Sequence, residues 1–305
     1  MKTILLLTDF SAKAGYAAEF AMNIAVKCKA NLVLCHVMEL TTYIGENDEF
    51  SWPVADNLVL ESESILNLRE LASRLETLVP SDFKPSINFI TEFGLLADVV
   101  EKIIDNRSID LVVTGSHKSN GVSTFLFGSH THAVLDKINC PVLIVPESVH
   151  FNGIDHIAYA TDLTFDNQKV IKYLIDVAKP FNAIIAVNHI SQTDYPVTSL
   201  EQALGYSMNE QLGPDHPPVF FHTIKGENVR ASLLEMTGSG RADIFALVHK
   251  RYGFFKRLFH ASISKQMANN GKVPILVLPY SFSMEMAAFA NDDLDSSYYE
   301  TSNSH

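Results

Sequence analysis

Two stretches of this chain carry residue types that could hold an anion. The first reads Gly115-Ser116-His117-Lys118, continues to Gly128-Ser129, and runs into a helical pattern from His130 to Ile138. A glycine at a strand end lets backbone approach a ligand closely. A Gly-Ser at a helix start supplies unbonded N–H groups, a hydroxyl and the positive end of the helix dipole. Together these describe a phosphate cradle. The second stretch, His249 to His260, holds Lys250, Arg251, Lys256 and Arg257 within twelve residues of an otherwise acidic chain. Those cations suit an anion, an acidic partner or the acidic tail, and a merely solvated loop is the competing reading. His130 and His132 open the helix after Ser129. Their spacing suits a solvated face better than metal ligation.

The elements that must position these residues occur twice. Thr8-Asp9 matches Thr161-Asp162 and His36 matches His189, a shift of 153 in both cases. Asp110 matches Asp243 and Pro141 matches Pro274, a shift of 133. The first copy is therefore 20 residues longer in its middle, and the polar, aromatic stretch 41–60 is expected to be the inserted loop. Internal duplication on this scale speaks of architecture rather than chemistry. Strands are expected over Ile4–Leu7, Asn31–Val37, Ser86–Ile90, Leu111–Thr114 and Val142–Val145. Helices are expected over Ala14–Lys27, Ile65–Leu78, Leu95–Ile104 and His130–Ile138. Leu68, Leu71, Leu75 and Leu78 form one stripe and Ala17, Ala21, Ile24 and Ala25 another. Apolar strands alternating with helices imply a parallel sheet covered on both faces. Such doubly wound α/β domains bind ligands beyond the carboxyl ends of their strands. The expected domains are 1–148 and 153–281, with a disordered acidic tail over 282–305. The equivalent last strands, Val142–Val145 and Ile275–Leu278, are expected to pair the two copies as an intramolecular pseudo-dimer. A further homodimer is left open.

Composition narrows the classes. The chain has 305 residues, a formal net charge of −12 and 47% hydrophobic residues. The length suits two domains, and the charge argues against a nucleic-acid partner, which calls for a basic face. Cys28, Cys35 and Cys140 form neither a disulfide framework nor a metal-ligand spacing. Asp9 interrupts the apolar start too early for a signal peptide. No run approaches the roughly 18 apolar residues of a membrane span. A cytoplasmic protein without a metal is expected.

The first stretch resembles the ATP-binding universal stress proteins. These carry Gly, two residues, Gly, nine residues, then Gly-Ser or Gly-Thr. Gly115, Gly128 and Ser129 fall on that pattern, and Lys118 stands at the second glycine. Asp9 within TDFS matches the family's early aspartate, Val37 within CHVME its adenine-contacting valine, and CPVLIVP its last strand. The resemblance runs through nearly the whole chain in two copies. It implies two tandem domains of the adenine nucleotide α-hydrolase-like architecture. It further implies ATP in the first, lined by Thr8, Asp9, Val37, Thr114, Gly115, Lys118, Gly128, Ser129 and His130. Lys118 either fills the path of a phosphate or pairs with it. In the second copy Val248, Arg251 and Ala261 stand at the three glycine positions and only Ser262 survives, so no nucleotide is expected there.

Three readings follow. The leading one is a non-enzymatic, stress-associated regulatory binding protein with an adenine-nucleotide site in the first copy. The alternative is a scaffold that binds no nucleotide and docks an unknown protein partner or an anion through its loops. The third is a slow ATP hydrolase, although no residue pair is placed to activate water.

Overall fold

The computed structural model describes residues 1–38, 54–116, 129–147, 149–161, 168–191, 216–225, 242–249 and 273–283. Lys118, Gly128, Asp162, the basic residues Lys250, Arg251, Lys256 and Arg257, and the tail beyond 283 lie outside them. So do the side chains of Ser129 and His130.

Alternation of apolar side chains along each strand sends successive residues to opposite faces of a sheet. In β1 (Thr3–Leu7), Ile4 and Leu6 enter one core layer and Leu5 and Leu7 the other. Four more strands complete the first half: β2 (Asn31–Met38), β3 (Ile87–Phe93), β4 (Leu111–Gly115) and β5 (Val142–Val145). The second half supplies β6 (His156–Thr161), β7 (Ile184–Ser191), β8 (Val219–Lys225), β9 (Ile244–His249) and β10 (Ile275–Pro279). All ten form one sheet in the order β3-β2-β1-β4-β5-β10-β9-β6-β7-β8. Each half thus has the same strand order, parallel throughout. The expected doubly wound α/β architecture is present in both halves.

The seam between them is the antiparallel pair of β5 and β10. Leu143 faces Leu276, with Ile144 opposite Ile275 and Val142 opposite Val277. These are the strands expected to pair the copies. Both core layers cross the seam: Leu143, Val145, Leu276 and Leu278 lie in one, Val142, Ile144, Ile275 and Val277 in the other. Neither last strand is left as an open edge.

Covering helices are α1 (Ala12–Cys28), α2 (Val54–Leu78), α3 (Leu96–Asn106) and α4 (Ser129–Lys137), with α5 (Gln168–Ala178) in the second half. Ser11 caps α1, its Oγ accepting the Ala14 N–H at 3.2 Å. Ala17, Ala21, Ile24 and Ala25 are buried as expected. Two expectations fail at α2. The helix begins at Val54, so 54–60 is not loop, and it starts about three turns before the expected Ile65. Leu58 and Val59 are 61% and 57% exposed there, so that stretch offers no apolar stripe for periodicity to detect. At the other end Leu78 is exposed, while Val79 packs on the core after Leu68, Leu71 and Leu75. The period of 3.6 carries the stripe one residue onward.

The repeat is also written in hydrogen bonds. Asp110 Oδ2 accepts the N–H groups of Lys2 and Thr3 at 2.6 and 2.9 Å. Asp243 Oδ2 accepts those of Asp155 and His156 at 2.7 and 2.9 Å. Each aspartate ties the start of its half's first strand to the approach to its fourth. Across the halves, the Tyr173 hydroxyl of α5 donates to the Asp110 carbonyl at 3.1 Å. The rings of Phe20 and Phe151 meet edge-on at 5.2 Å.

Candidate functional site

Within the first half the chain winds outward from β1 through β2 to β3, then returns to place β4 on the other side of β1. Connections leaving β1 and β4 therefore diverge, and a crevice opens beyond their carboxyl ends. A cleft of about 270 Å³ lies there. Thr8 and Asp9 follow β1, Val37 ends β2, and Thr114 and Gly115 end β4; all five line the cleft. Five of the nine residues expected from sequence are thus brought together. The backbone of Ser129 and His130 begins α4. Lys118 and Gly128 belong to the connection between β4 and α4, outside the described residues.

Local geometry explains how the β1 end is held. Thr8 N–H donates to Cys35 O at 2.9 Å. Its Oγ1 accepts the Phe10 N–H at 3.1 Å, and Asp9 Oδ1 accepts the Ser11 N–H at 3.0 Å. Asp9 therefore has a turn-forming role besides facing the cleft. Between them Phe10 takes a left-handed φ of 60°, uncommon for a bulky residue. Its ring packs on His36, centroids 4.5 Å apart. His36 Nδ1 is 2.8 Å from Ser64 Oγ on α2. Burial pushes the His36 imidazole below its ordinary value, against the opposing pull of Asp9. His189, the repeat of His36, meets the Thr161 carbonyl at 3.3 Å instead. The two histidines share a structural setting but not a partner.

Gly115 has a second reason to be small. A Cβ there would stand 3.4 Å from Lys13 O and 3.5 Å from Ala14 Cα, against the first turn of α1. The glycine thus lets α1 approach β4, apart from any ligand.

Sequence reasoning missed Leu7, Ala14, Cys35, Gly94 and Leu96, which complete the wall. Burial, with Glu92 adding to it, pushes the Cys35 thiol up to about 12, so it lines the cleft as a neutral, apolar group. Gly94 has φ +145°, a conformation L side chains rarely adopt, and its N–H donates to Met38 O at 3.0 Å. A lone glycine between strand and helix patterns was the available signal for it. The cleft is thus apolar over Leu7, Cys35, Val37 and Leu96, with hydroxyls and one carboxylate at its rim. That combination suits a small molecule with an apolar body and a polar edge. Among the described residues no cluster could hold a metal ion, and no helix is long and apolar enough to cross a membrane.

Residues 1–146 match the model of the universal stress protein family. Over 146 residues the chain is 31% identical to universal stress protein A homolog 1 of Coxiella burnetii, spanning 47% of this chain and 95% of that one. It is 25% identical over 146 residues to a universal stress protein of Methanocaldococcus jannaschii, spanning 47% and 81%. A solved universal stress protein from Archaeoglobus fulgidus superposes with a TM-score of 0.65 at 17% identity. It covers 91% of this chain and 96% of its own, a likeness of fold that extends through both halves.

Proposed function

Because the chain belongs to the universal stress protein family, we propose that it is a stress-associated regulatory binding protein whose first domain takes an adenine nucleotide, ATP. It is built as two domains of that family in tandem, 1–148 and 153–281. The observation that carries the reading is the single cleft that gathers Thr8, Asp9, Val37, Thr114 and Gly115. Its volume lies just under the roughly 300–1,000 Å³ usual for small-molecule sites. That suits a nucleoside seated within and phosphates extending toward α4. The apolar wall takes the base, and Thr8, Asp9 and Thr114 offer partners to ribose. The N-terminus of α4, with Gly128, Ser129 and Lys118 preceding or opening it, faces the phosphates. Calorimetry with ATP on the wild type and on Gly128→Val tests this. Binding lost in the variant supports the site, and equal affinity in both rejects it. ADP accumulating with time in the same samples would favour slow hydrolysis instead.

One observation favours the scaffold reading. Gly115, the residue closest to a family signature in this cleft, stands against the first turn of α1, where side chains larger than alanine would overpack whatever the ligand. A mass-spectrometric survey of small molecules carried through purification separates the two readings. In the second domain, Lys250, Arg251, Lys256 and Arg257 follow β9 at its carboxyl edge, the place where the first domain would hold phosphate. We assign them to an anion or an acidic partner, held by salt-sensitive pairing. Changing all four to Gln should remove any thermal stabilisation that pyrophosphate gives the wild type.

A further inference from the structure

The carboxyl end of β9 contributes to the other half of the molecule. By the 133-residue shift His249 stands where the first half has Ser116. Ser116 is buried, and its backbone N–H donates to Val145 O at 2.9 Å. His249 instead reaches across to α4: its Nε2 lies 2.8 Å from Asp136 Oδ1. The imidazole side chain is 12% exposed. Its Nδ1 is buried and finds no hydrogen-bond partner among the described residues. A carboxylate at Nε2 selects the tautomer protonated there, leaving Nδ1 as a lone pair that requires no acceptor.

His132 lies one turn before Asp136 on the same helix. Burial holds its imidazole below the ordinary value, Asp136 opposes that, and His249 adds to the lowering. One residue after Asp136, Lys137 Nζ pairs with Asp98 at 2.6 Å and Glu101 at 2.9 Å, both on α3. A helix of nine residues is too short to hold itself in place. α4 is therefore fixed from two sides, by α3 of its own half and by His249 of the other.

We propose that His249 is a positioning residue for the nucleotide cleft of the first half. Through Asp136 it sets the placement of α4, and hence of its Ser129 end, to which the nucleotide reading assigns the phosphates. This rests on the nucleotide reading above. The second half, without the glycines of a site of its own, thus supports the site of the first. The effect is confined to the phosphate end, because the base and ribose walls come from β1, β2 and β4.

The test uses the full chain with ATP and adenosine as paired probes, in wild type, His249→Phe, His249→Gln and His249→Phe/Asp136→Ala. His249→Phe should weaken ATP about fivefold, the worth of one hydrogen bond, and leave adenosine unchanged. His249→Gln, which places an amide donor near the former Nε2, should restore ATP affinity. The double variant should be no weaker than His249→Phe alone. Hydrogen exchange over 131–137 should accelerate in His249→Phe and not in His249→Gln. Equal weakening of ATP and adenosine, or no weakening of either, overturns the proposal. If the wild type binds neither compound, the nucleotide reading fails. Faster exchange in α4 would then still support His249 as its anchor, and unchanged exchange overturns that role whatever binds.

Discussion

Replacing Gly115 separates a glycine kept for packing from one kept for a ligand. Its missing Cβ would point at the α1 backbone, 3.4 Å from Lys13 O and 3.5 Å from Ala14 Cα. Both distances are ordinary contact for a methyl group, so Gly115→Ala should fold with little loss, under about 1 kcal/mol. Gly115→Val adds two γ carbons about 1.5 Å beyond Cβ, into space that α1 fills. The helix cannot yield freely, because Ala14, Ala17, Ala18 and Ala21 are buried against the sheet. Overpacking of this kind costs about 1–3 kcal/mol. In a protein of this size that moves the melting midpoint by roughly 2–4 °C per kcal/mol. The displaced turn is the one capped by Ser11 and entered through Thr8 and Asp9, so the cleft is disturbed with it. Thermal and urea unfolding of both variants without ligand give the answer. If Gly115→Val unfolds at the wild-type midpoint, the packing argument is wrong and the glycine is there for a ligand alone.

Three further outcomes follow from the geometry. Gly94→Ala should lose about 1–3 kcal/mol in urea unfolding, because φ +145° is disfavoured for any L residue although the nearest atom to a new Cβ, on Val99, is 3.5 Å away. An unchanged midpoint would show that the turn relaxes at no cost. Tyr173→Phe should cost about 1 kcal/mol by removing the hydroxyl that donates to Asp110 O across the halves; a variant as stable as wild type would mean that bond adds nothing. His36 and His132 are both held below 6.5, chiefly by burial. The unfolded chain therefore takes up their protons first, and stability falls as pH drops below about 6.5, levelling off below the folded-state values. Urea midpoints measured from pH 8 to 5 should show that decline, and His132→Gln should flatten it; an identical slope in the variant would remove His132 as a cause.

Much of the site was legible because strand ends in a doubly wound sheet are legible. Continuous apolar runs locate β1, β2 and β4, and the residues at or just beyond their carboxyl ends, Thr8, Asp9, Val37, Thr114 and Gly115, must then share one edge. What could not be read from spacing was the far wall. Gly94 and Leu96 enter the cleft from the turn between β3 and α3, and only the order β3-β2-β1-β4 brings that turn beside Gly115. The early start of α2 was hidden for a related reason. Residues 57–60 of that helix bury no apolar side chain, so the stretch lacks the periodicity by which a sequence announces a helix.

Duplication was the sequence's own statement. The shifts of 153 and 133 set out two equal strand orders, and the matched last strands anticipated the β5–β10 pairing. Repetition in one dimension requires only that equal patterns fold equally. How the halves touch depends on side chains that repetition does not mark. Tyr173 bonds to Asp110, Phe151 of the linker packs on Phe20, and His249 reaches Asp136. These contacts join residues more than sixty positions apart. Their energy exists only once the antiparallel seam has set the distance between the two halves, and tertiary structure alone decided them.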